Sequence, residues 1–389
     1  MRGEFQKALD CYTKAIAIEP EFAQAFCNLG FAQNALGQYQ SAVASYERAC
    51  AIKPDYADAQ WNLGLILLRQ GKYAQAWPLY EARYAVGKTD LQTLPPPTEP
   101  GALALPPRWQ GEALDGRSLL VWPEQGMGDE IQFWRYLALL RAKGPRHITW
   151  VCSPPLKLLF ESQFLADRVI STTEWKPELA HDIDYWCFAM SLALHCETAL
   201  ESIPSQIPYM DAGASKLAHW AKRLPNANVR VGLVWKGRPT HANDAHRSLP
   251  TLATLAPLWS VSGVAFVSLQ KGAGEEEVGI WPVQQPLLHL GGAIADFSDS
   301  AAILQQLDLL ISVDTAAVHL AGALGVPCWV LLPSVATDWR WMEDRDDSPW
   351  YPGTMRLFRQ TEVGNWDTVI NNVVVELRSG QAQGSLRLR

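Results

Sequence analysis

Long hydrophobic runs, paired cysteine motifs and a surplus of basic residues are all missing from this chain of 389 residues. No apolar stretch approaches the roughly 20 residues that a membrane-spanning helix needs. The seven cysteines include no C-x-x-C pair, which argues against a disulfide framework or a zinc site. With 33 Lys and Arg against 40 Asp and Glu, the net charge is −7, so a general nucleic-acid binder is not expected.

The composition that remains is typical of a globular protein with room for two or three domains. Apolar residues make up 48% of the chain and charged residues 19%, which excludes a disordered chain. Met1 is followed directly by residues with helical spacing, and not by the apolar segment of a secretory signal. We therefore expect a cytoplasmic protein whose cysteines are interior thiols.

Residues 1–85 repeat with a constant step of 34 positions. The recurring residues are Gly3, Phe5, Ala8, Tyr12, Ala15 and Pro20, then Gly37, Tyr39, Ala42, Tyr46, Ala49 and Pro54, then Gly71, Tyr73, Ala76 and Tyr80. This pattern resembles the tetratricopeptide repeat, whose paired helices stack because small residues let neighbours approach. The first unit lacks its first helix, so either a longer array is cut or that place is capped differently. Such repeats bind proteins or serve as a scaffold, and we expect a protein partner.

A proline-rich segment, residues 86–115, predicts a stiff connector. Beyond it, short apolar segments alternate with helical ones, which predicts an α/β fold with parallel, doubly wound sheets. The predicted strands are 118–122, 147–152, 168–172, 183–190, 229–235, 264–270, 287–291, 307–313 and 328–332. A break near residues 200–228 divides them into two Rossmann-like domains, 116–215 and 216–389. Two such domains create a cleft at the carboxyl edges of their sheets, where ligands bind.

The segment 307–332 has the pattern of a site for nucleotide phosphates. A buried strand ends at Asp314 and Thr315, which can cap the helix that follows. The first turn of a helix presents free N–H groups and the positive end of its dipole to an anion. His319 lies one turn further on the same face. An ordinary capped helix with a half-buried histidine fits this segment equally well.

Each predicted domain also has a loop at the cleft. In the first domain, Gly126 and Gly128 allow a sharp turn before Asp129, which begins a helix predicted over 130–144. A helix cap explains Asp129 equally simply. In the second domain, Trp235 and Gly237 follow the first strand, and Arg247 stands on the next loop, where it can clamp a diphosphate. Residues 338–341 (Asp-Trp-Arg-Trp) form a second-tier site candidate.

Several segments together resemble a known family. They are GMGDEIQFWRYL, VGLVWKG, NDAHRSLP, DFSDSAAI, SVDTAAVHLAGALGVP and DWRWM, in this order behind the repeats. This combination resembles the bacterial tetratricopeptide-repeat glycosyltransferases, which are similar to the lipopolysaccharide heptosyltransferases and distantly to the O-linked N-acetylglucosamine transferases. The resemblance implies the glycosyltransferase B fold, a nucleotide-sugar donor as co-substrate, no metal and no further cofactor.

The resemblance also implies roles for single residues. Asp129 would be the general base for the acceptor hydroxyl, and Arg247 would lie near the leaving diphosphate. Gln270 and Asp296 would lie near the nucleoside. The full donor-binding set expected from sequence is Gly126, Gly128, Trp235, Gly237, Gln270, Asp296, Asp314, Thr315, Ala316 and His319.

Two functions from different classes follow. The first is an inverting, metal-independent glycosyltransferase whose repeats recruit a protein or glycan acceptor. The second is a catalytically silent protein that binds a nucleotide sugar and acts as a scaffold through its repeats. Fold alone does not separate the two, because function depends on the site.

Overall fold

The computed structural model describes residues 2–86, 106–279 and 287–382. Within them the chain forms two compact parts. The repeat part consists of residues 2–86 and 193–203, and the α/β part consists of residues 106–192 and 204–382. Most of the proline-rich connector expected at 86–115 lies outside the described residues.

The repeat part is helical throughout its first segment. Its helices are α1 (Arg2–Ile18), α2 (Ala23–Ala35), α3 (Tyr39–Ile52), α4 (Ala57–Arg69), α5 (Tyr73–Tyr80) and α6 (Arg83–Val86). The pairs α2–α3 and α4–α5 are the second and third predicted repeat units, and α1 is the second helix of the first unit. Residues 193–203 join this part, where the carbonyl of Thr198 accepts a hydrogen bond of 2.8 Å from the Trp77 indole N–H.

Small residues let the helices of each pair approach closely, as the repeat pattern predicts. A Cβ atom on Gly30 would lie 2.9 Å from the ring of Tyr46, and one on Gly64 would lie 3.1 Å from the backbone nitrogen of Tyr80. Both tyrosines are buried. The step of 34 residues therefore repeats a contact and not only a sequence motif.

The first sheet of the α/β part is parallel, with the order β3-β2-β1-β4. Its strands are β1 (Ser118–Trp122), β2 (His147–Cys152), β3 (Arg168–Ser171) and β4 (Tyr185–Phe188). The helices that follow are α7 (Met127–Phe133), α8 (Leu137–Ala142) and α9 (Lys157–Glu161). Helix α10 (Leu192–His195) begins at the last residue of segment 106–192 and belongs for the rest of its length to residues 193–203 of the repeat part. The single helix predicted over 130–144 is wrong, because a 3-10 turn at Trp134–Tyr136 separates α7 from α8.

The second sheet is also parallel and has the order β10-β9-β8-β5-β6-β7. Its strands are β5 (Val229–Val234), β6 (Val264–Ser268), β7 (Leu287–His289), β8 (Leu309–Val313), β9 (Cys328–Leu332) and β10 (Met355–Arg359). Its helices are α11 (Ala214–Ala221), α12 (Asp244–Arg247), α13 (Phe297–Leu304), α14 (Ala316–Ala323) and α15 (Asp367–Ala382). The two doubly wound sheets confirm the predicted fold class.

Continuous apolar runs explain the central strands. Every residue of β1, β8 and β9 is buried, as expected where helices cover both faces of a parallel sheet. Gly325 ends α14 with a φ of +70°, which only glycine adopts without strain. All seven cysteines are free thiols, and four of them are buried. Among the helices of the described residues, none is both long and apolar enough to cross a membrane.

The contact between Gly30 and Tyr46 yields a test of the repeat part. We expect Gly30→Val to lower the free energy of unfolding by roughly 1–3 kcal/mol, because the new side chain overlaps a buried ring. The matched control is Gln24→Val, which places the same β-branched residue at an exposed position of the same helix. Equal melting temperatures of the two variants, measured by circular dichroism, would contradict the close packing of α2 and α3.

Candidate functional site

The loop after β1 is shaped by two glycines and by the carboxylate of Asp129. Gly126 is the N-cap of α7 and has an extended backbone, with φ −107° and ψ 166°. Its N–H donates a hydrogen bond of 2.8 Å to Oδ2 of Asp129. Asp129 is thus the third residue of the helix and holds the turn together, as a carboxylate at this position often does. Oδ2 of Asp129 is therefore already used in a hydrogen bond with the backbone.

Gly128 brings this loop into direct contact with the start of α14. A Cβ atom on Gly128 would lie 2.7 Å from Cδ2 of His319 and 3.4 Å from Cα of Ala316. Any other residue would therefore separate α7 from α14. The loop around 126–129 and the helix start at 315–319 face each other at the carboxyl edges of the two sheets, as the sequence predicts.

Arg340, in the turn after β9, joins that turn to α7 by an ion pair. Its Nη2 donates to Oδ1 of Asp129, and its Nε donates to Oε1 of Gln132, which is also on α7. Its Nη1 donates to both oxygens of Asp338, at 3.0 and 3.1 Å. The side chains of Arg340 and Asp129 are 4% and 16% exposed. Burial raises the pKa of Asp129 above its usual value, although the charge of Arg340 lowers it.

The turn that carries Arg340 has a strained backbone. Met342, the residue after this turn, has φ 54° and ψ −166°, a combination of backbone angles that residues other than glycine rarely adopt. The Trp341 carbonyl accepts a hydrogen bond of 2.6 Å from Nη2 of Arg359. Asp338 caps the turn by accepting from the Arg340 N–H at 2.9 Å. Such strain persists only where surrounding contacts hold it, and it is concentrated at functional sites.

His319 is a neutral side chain in this site. Burial and the nearby Arg340 lower its pKa to about 3. Its Nδ1 lies 2.9 Å from the hydroxyl of Tyr351, and its ring stacks on Trp341 with 5.6 Å between the ring centroids. Near neutral pH His319 can therefore give an anion a hydrogen bond but no positive charge. The positive charge must come from arginine.

Arg247 lies where Gly237 leaves room for it. A Cβ atom on Gly237 would lie 2.6 Å from Nη2 of Arg247. The side chain of Arg247 is 14% exposed, and its Nε lies 3.5 Å from Oδ1 of Asp244. Burial and the charge of Asp338 raise the pKa of Asp314 to about 6, while Arg247 and Arg340 lower it. Arg247 therefore acts electrostatically on Asp314.

The start of α14 differs in detail from the predicted cap. Thr315 is at the N-cap position, but no side chain caps the helix there. Instead, its hydroxyl lies 3.2 Å from the hydroxyl of Ser312. The Val318 N–H donates to the Thr315 carbonyl at 3.0 Å, whereas the N–H groups of Ala316 and Ala317 are left for another acceptor, which favours an anion at this place.

Three predicted donor contacts have local structural roles. The indole of Trp235 is fully buried and donates to Glu277 at 3.1 Å. The side chain of Gln270 is bonded to the backbone around it: it accepts from Trp235 and Lys236 and donates to Lys236 and Ala273. Asp296 caps α13 by accepting from the Ser298 N–H at 2.8 Å. Ligand contacts of these residues stay predictions.

A groove of about 430 Å³ borders the same loops. It lies between α12, residues 273–276 and Trp366, and Lys236 and His246 contribute to its lining. Within residues 2–86, 106–279 and 287–382, no group of three His, Cys, Asp or Glu side chains is arranged to hold a metal ion.

Sequence reasoning ranked Arg340 low and did not find Tyr351. The only signal for Arg340 was its place between Trp339 and Trp341 in a polar-aromatic segment. Tyr351 lies 32 positions from His319 in a loop without regular structure, and no spacing rule connects the two. Both residues reach the site only through tertiary structure.

Known proteins resemble segments of this chain. Residues 2–37 and 32–71 match the family described as the TPR repeat. Protein FlbA of Caulobacter vibrioides is 30% identical over 295 residues, which are 70% of this chain and 48% of FlbA. The chain thus spans about half the length of that relative.

Two solved structures extend the comparison. ADP-heptose LPS heptosyltransferase II of E. coli is 13% identical, covers 69% of this chain and 99% of its own, and has a TM-score of 0.51. A variant of the O-GlcNAc transferase of Thermobaculum terrenum is 13% identical, covers 97% of this chain and 84% of its own, and has a TM-score of 0.27. The α/β part has the fold of the heptosyltransferase, which is the glycosyltransferase B fold, and residues 2–71 are tetratricopeptide repeats.

Glu130, next to Asp129, gives a test based on pH. It is buried, accepts from the Ser153 N–H at 2.8 Å, and burial raises its pKa to about 7. Between about pH 5 and 7 the folded protein keeps a proton that the unfolded chain has released. The free energy of unfolding should therefore fall over this range, by on the order of 2–3 kcal/mol.

In Glu130→Gln that contribution should be absent, so the parent and the variant should diverge as the pH rises. Urea unfolding at pH 5.5 and 8 measures the difference, with the exposed Glu178→Gln as control. The same pH dependence in all three proteins would show that Glu130 is ionised in the folded state without cost.

Proposed function

We propose that this protein is an inverting glycosyltransferase that moves a sugar from a nucleotide-diphosphate sugar to an acceptor hydroxyl without a divalent metal ion. The observation that carries the proposal is the contact across the cleft. A carboxylate able to act as base, that of Asp129, lies beside an uncapped helix start at Thr315 and Ala316. The glycosyltransferase B fold of the α/β part supports the same reading.

The reaction assigns a task to each side of the contact. The acceptor oxygen attacks the anomeric carbon, and the bond from that carbon to the diphosphate oxygen breaks. The electron pair leaves with the nucleoside diphosphate, and the acceptor proton passes to the carboxylate of Asp129. Negative charge grows on the diphosphate, where the first turn of α14 and Arg247 stabilise it. Attack from the face opposite the leaving group inverts the configuration.

The nucleoside and the acceptor have separate places in this proposal. We place the nucleoside in the groove beside α12, near the loops that Gln270 holds. The tetratricopeptide repeats would recruit a protein or glycan that carries the acceptor hydroxyl, since repeats of this type bind peptides and proteins.

A silent nucleotide-sugar-binding protein that acts through its repeats is the second candidate. One observation favours it. The carboxylate of Asp129 is bonded both to Arg340 and to the Gly126 N–H, which is also what a purely structural residue would show. Turnover therefore decides between the two candidates.

The donor site is tested by calorimetry with UDP, GDP and ADP, with chelator present. Arg247→Ala should weaken binding of the preferred nucleotide by roughly 10- to 100-fold, because a charge-assisted bond is lost. His319→Ala removes a neutral hydrogen bond and should cost roughly fivefold. Arg238→Ala, an exposed arginine in the preceding loop, is the control. Unchanged affinity in both test variants would remove the two residues from the site.

Asp129→Asn tests the chemistry. Asparagine keeps the size and can still accept the Gly126 N–H, but it cannot take a proton from the acceptor at neutral pH. Transfer of the sugar should fall by roughly 100-fold or more. The assay follows release of the nucleoside diphosphate, with thermal melting as a check of the fold. Full turnover in the variant would exclude Asp129 as the base, and a parent protein without turnover on any donor would favour the silent binding protein.

A further inference from the structure

Arg340 joins groups that the proposed reaction needs on opposite sides of the cleft. Its guanidinium is 4% exposed and contacts Asp129 and Gln132 of the first half and Asp338 of its own turn. A buried cation with several carboxylate and amide partners is strongly fixed while all of them remain. If one of these partners is removed, another group must balance the charge of the Arg340 guanidinium.

The surroundings of Arg340 place it beside the proposed phosphate site. The next residue, Trp341, stacks on His319, with an interplanar angle of 25°. His319 in turn lies against Gly128, where α7 meets the start of α14. Arg340 is therefore one residue away from a ring that borders the uncapped first turn of α14.

The two arginines assigned to the proposed site, Arg340 and Arg247, already have carboxylate partners. Arg340 faces the carboxylates of Asp129 and Asp338, and Arg247 has Asp244 within 3.5 Å. A nucleoside diphosphate brings at least two negative charges into this cluster. A guanidinium can meet that charge by giving up a carboxylate for phosphate oxygens, which match the planar fork of arginine.

The two carboxylate partners of Arg340 differ in how easily a phosphate could replace them. Asp338 is two residues away in the same capped turn, and it also holds the Arg340 N–H, so it moves with the arginine. Asp129 belongs to the other half and keeps its own anchor, the Gly126 N–H at 2.8 Å. The bond between Arg340 and Asp129 can therefore break while both backbones stay in place.

We propose that Arg340 is a further ligand-binding residue, which exchanges the carboxylate of Asp129 for the diphosphate of the bound nucleotide. The proposal rests on the proposed function and adds an order of events to it. Donor binding takes the cation from Asp129, and a carboxylate without its cation is the stronger base. Asp129 is thus ready to accept a proton only when the donor is in place.

The test is a double-mutant cycle measured by calorimetry with UDP, GDP and ADP as probes, in the full chain. In Asp129→Asn the exchange no longer breaks an ion pair, so the nucleotide should bind about tenfold tighter than to the parent. Arg340→Gln should bind about tenfold weaker. In the double variant the gain from Asp129→Asn should vanish, because the gain requires Arg340.

The other outcomes overturn the proposal in distinct ways. A gain that persists in the Arg340→Gln background would show simple removal of a repelling charge. Equal affinity of Asp129→Asn and the parent would show that Arg340 never leaves Asp129. Binding of no nucleotide by the parent would overturn the proposed function, and the exchange with it. Asp182→Asn, which removes the same charge at an 81% exposed side chain before β4, is the matched control and should bind like the parent.

Discussion

The guanidinium of Arg340 is balanced by carboxylates from both halves of the α/β part, and the arrangement of the site depends on this balance. Without Arg340, the mostly buried carboxylate of Asp129 would have no cation, and Asp338, whose side chain is 36% exposed, would lose its ion pair. With it, α7 stays against the turn after β9, and Gly128 stays against α14. The strained backbone at Met342 shows that the turn is held in place by these contacts and not by its own preference.

The electrostatics of the site follow from burial. His319 is neutral because burial and Arg340 both disfavour its protonated form. Asp314 holds its proton more tightly than an exposed carboxyl because burial and Asp338 both disfavour its charge. In a site of this kind the guanidinium of Arg340 is neutralised by carboxylates, and it contacts an anionic ligand only when the ligand displaces one of them. Its affinity for an anion then depends on exchange between partners more than on attraction from a distance.

Those parts of the fold that have a strong local pattern could be predicted from the sequence. The period of 34 residues specifies the repeat helices, and continuous apolar runs specify β1, β8 and β9. Strand β10, at the edge of the sheet, was missed because Arg356 and Arg359 interrupt its short apolar run, MRLFR. Arg356 can be accommodated there because it pairs with Glu376 of α15 at 2.7 Å, a contact that no local pattern reveals.

The site could be predicted where it follows from strand ends. Asp129, Arg247 and His319 all come shortly after a strand, and the carboxyl ends of parallel strands meet at one edge. Their partners could not be predicted, since Arg340 and Tyr351 come from long loops whose path depends on the packed core. The direction of the Trp235 side chain could not be predicted from its place after β5, because the indole packs into the core.

A crystal structure of the protein with a bound nucleoside diphosphate tests the central claim most directly. The account predicts phosphate oxygens at the N–H groups of Thr315 and Ala316, with the guanidinium of Arg340 on the diphosphate. Asp129 should then keep its bond to the Gly126 N–H and have lost its contact with Arg340. A diphosphate bound elsewhere, or one bound at α14 while Arg340 still pairs with Asp129, would contradict the account.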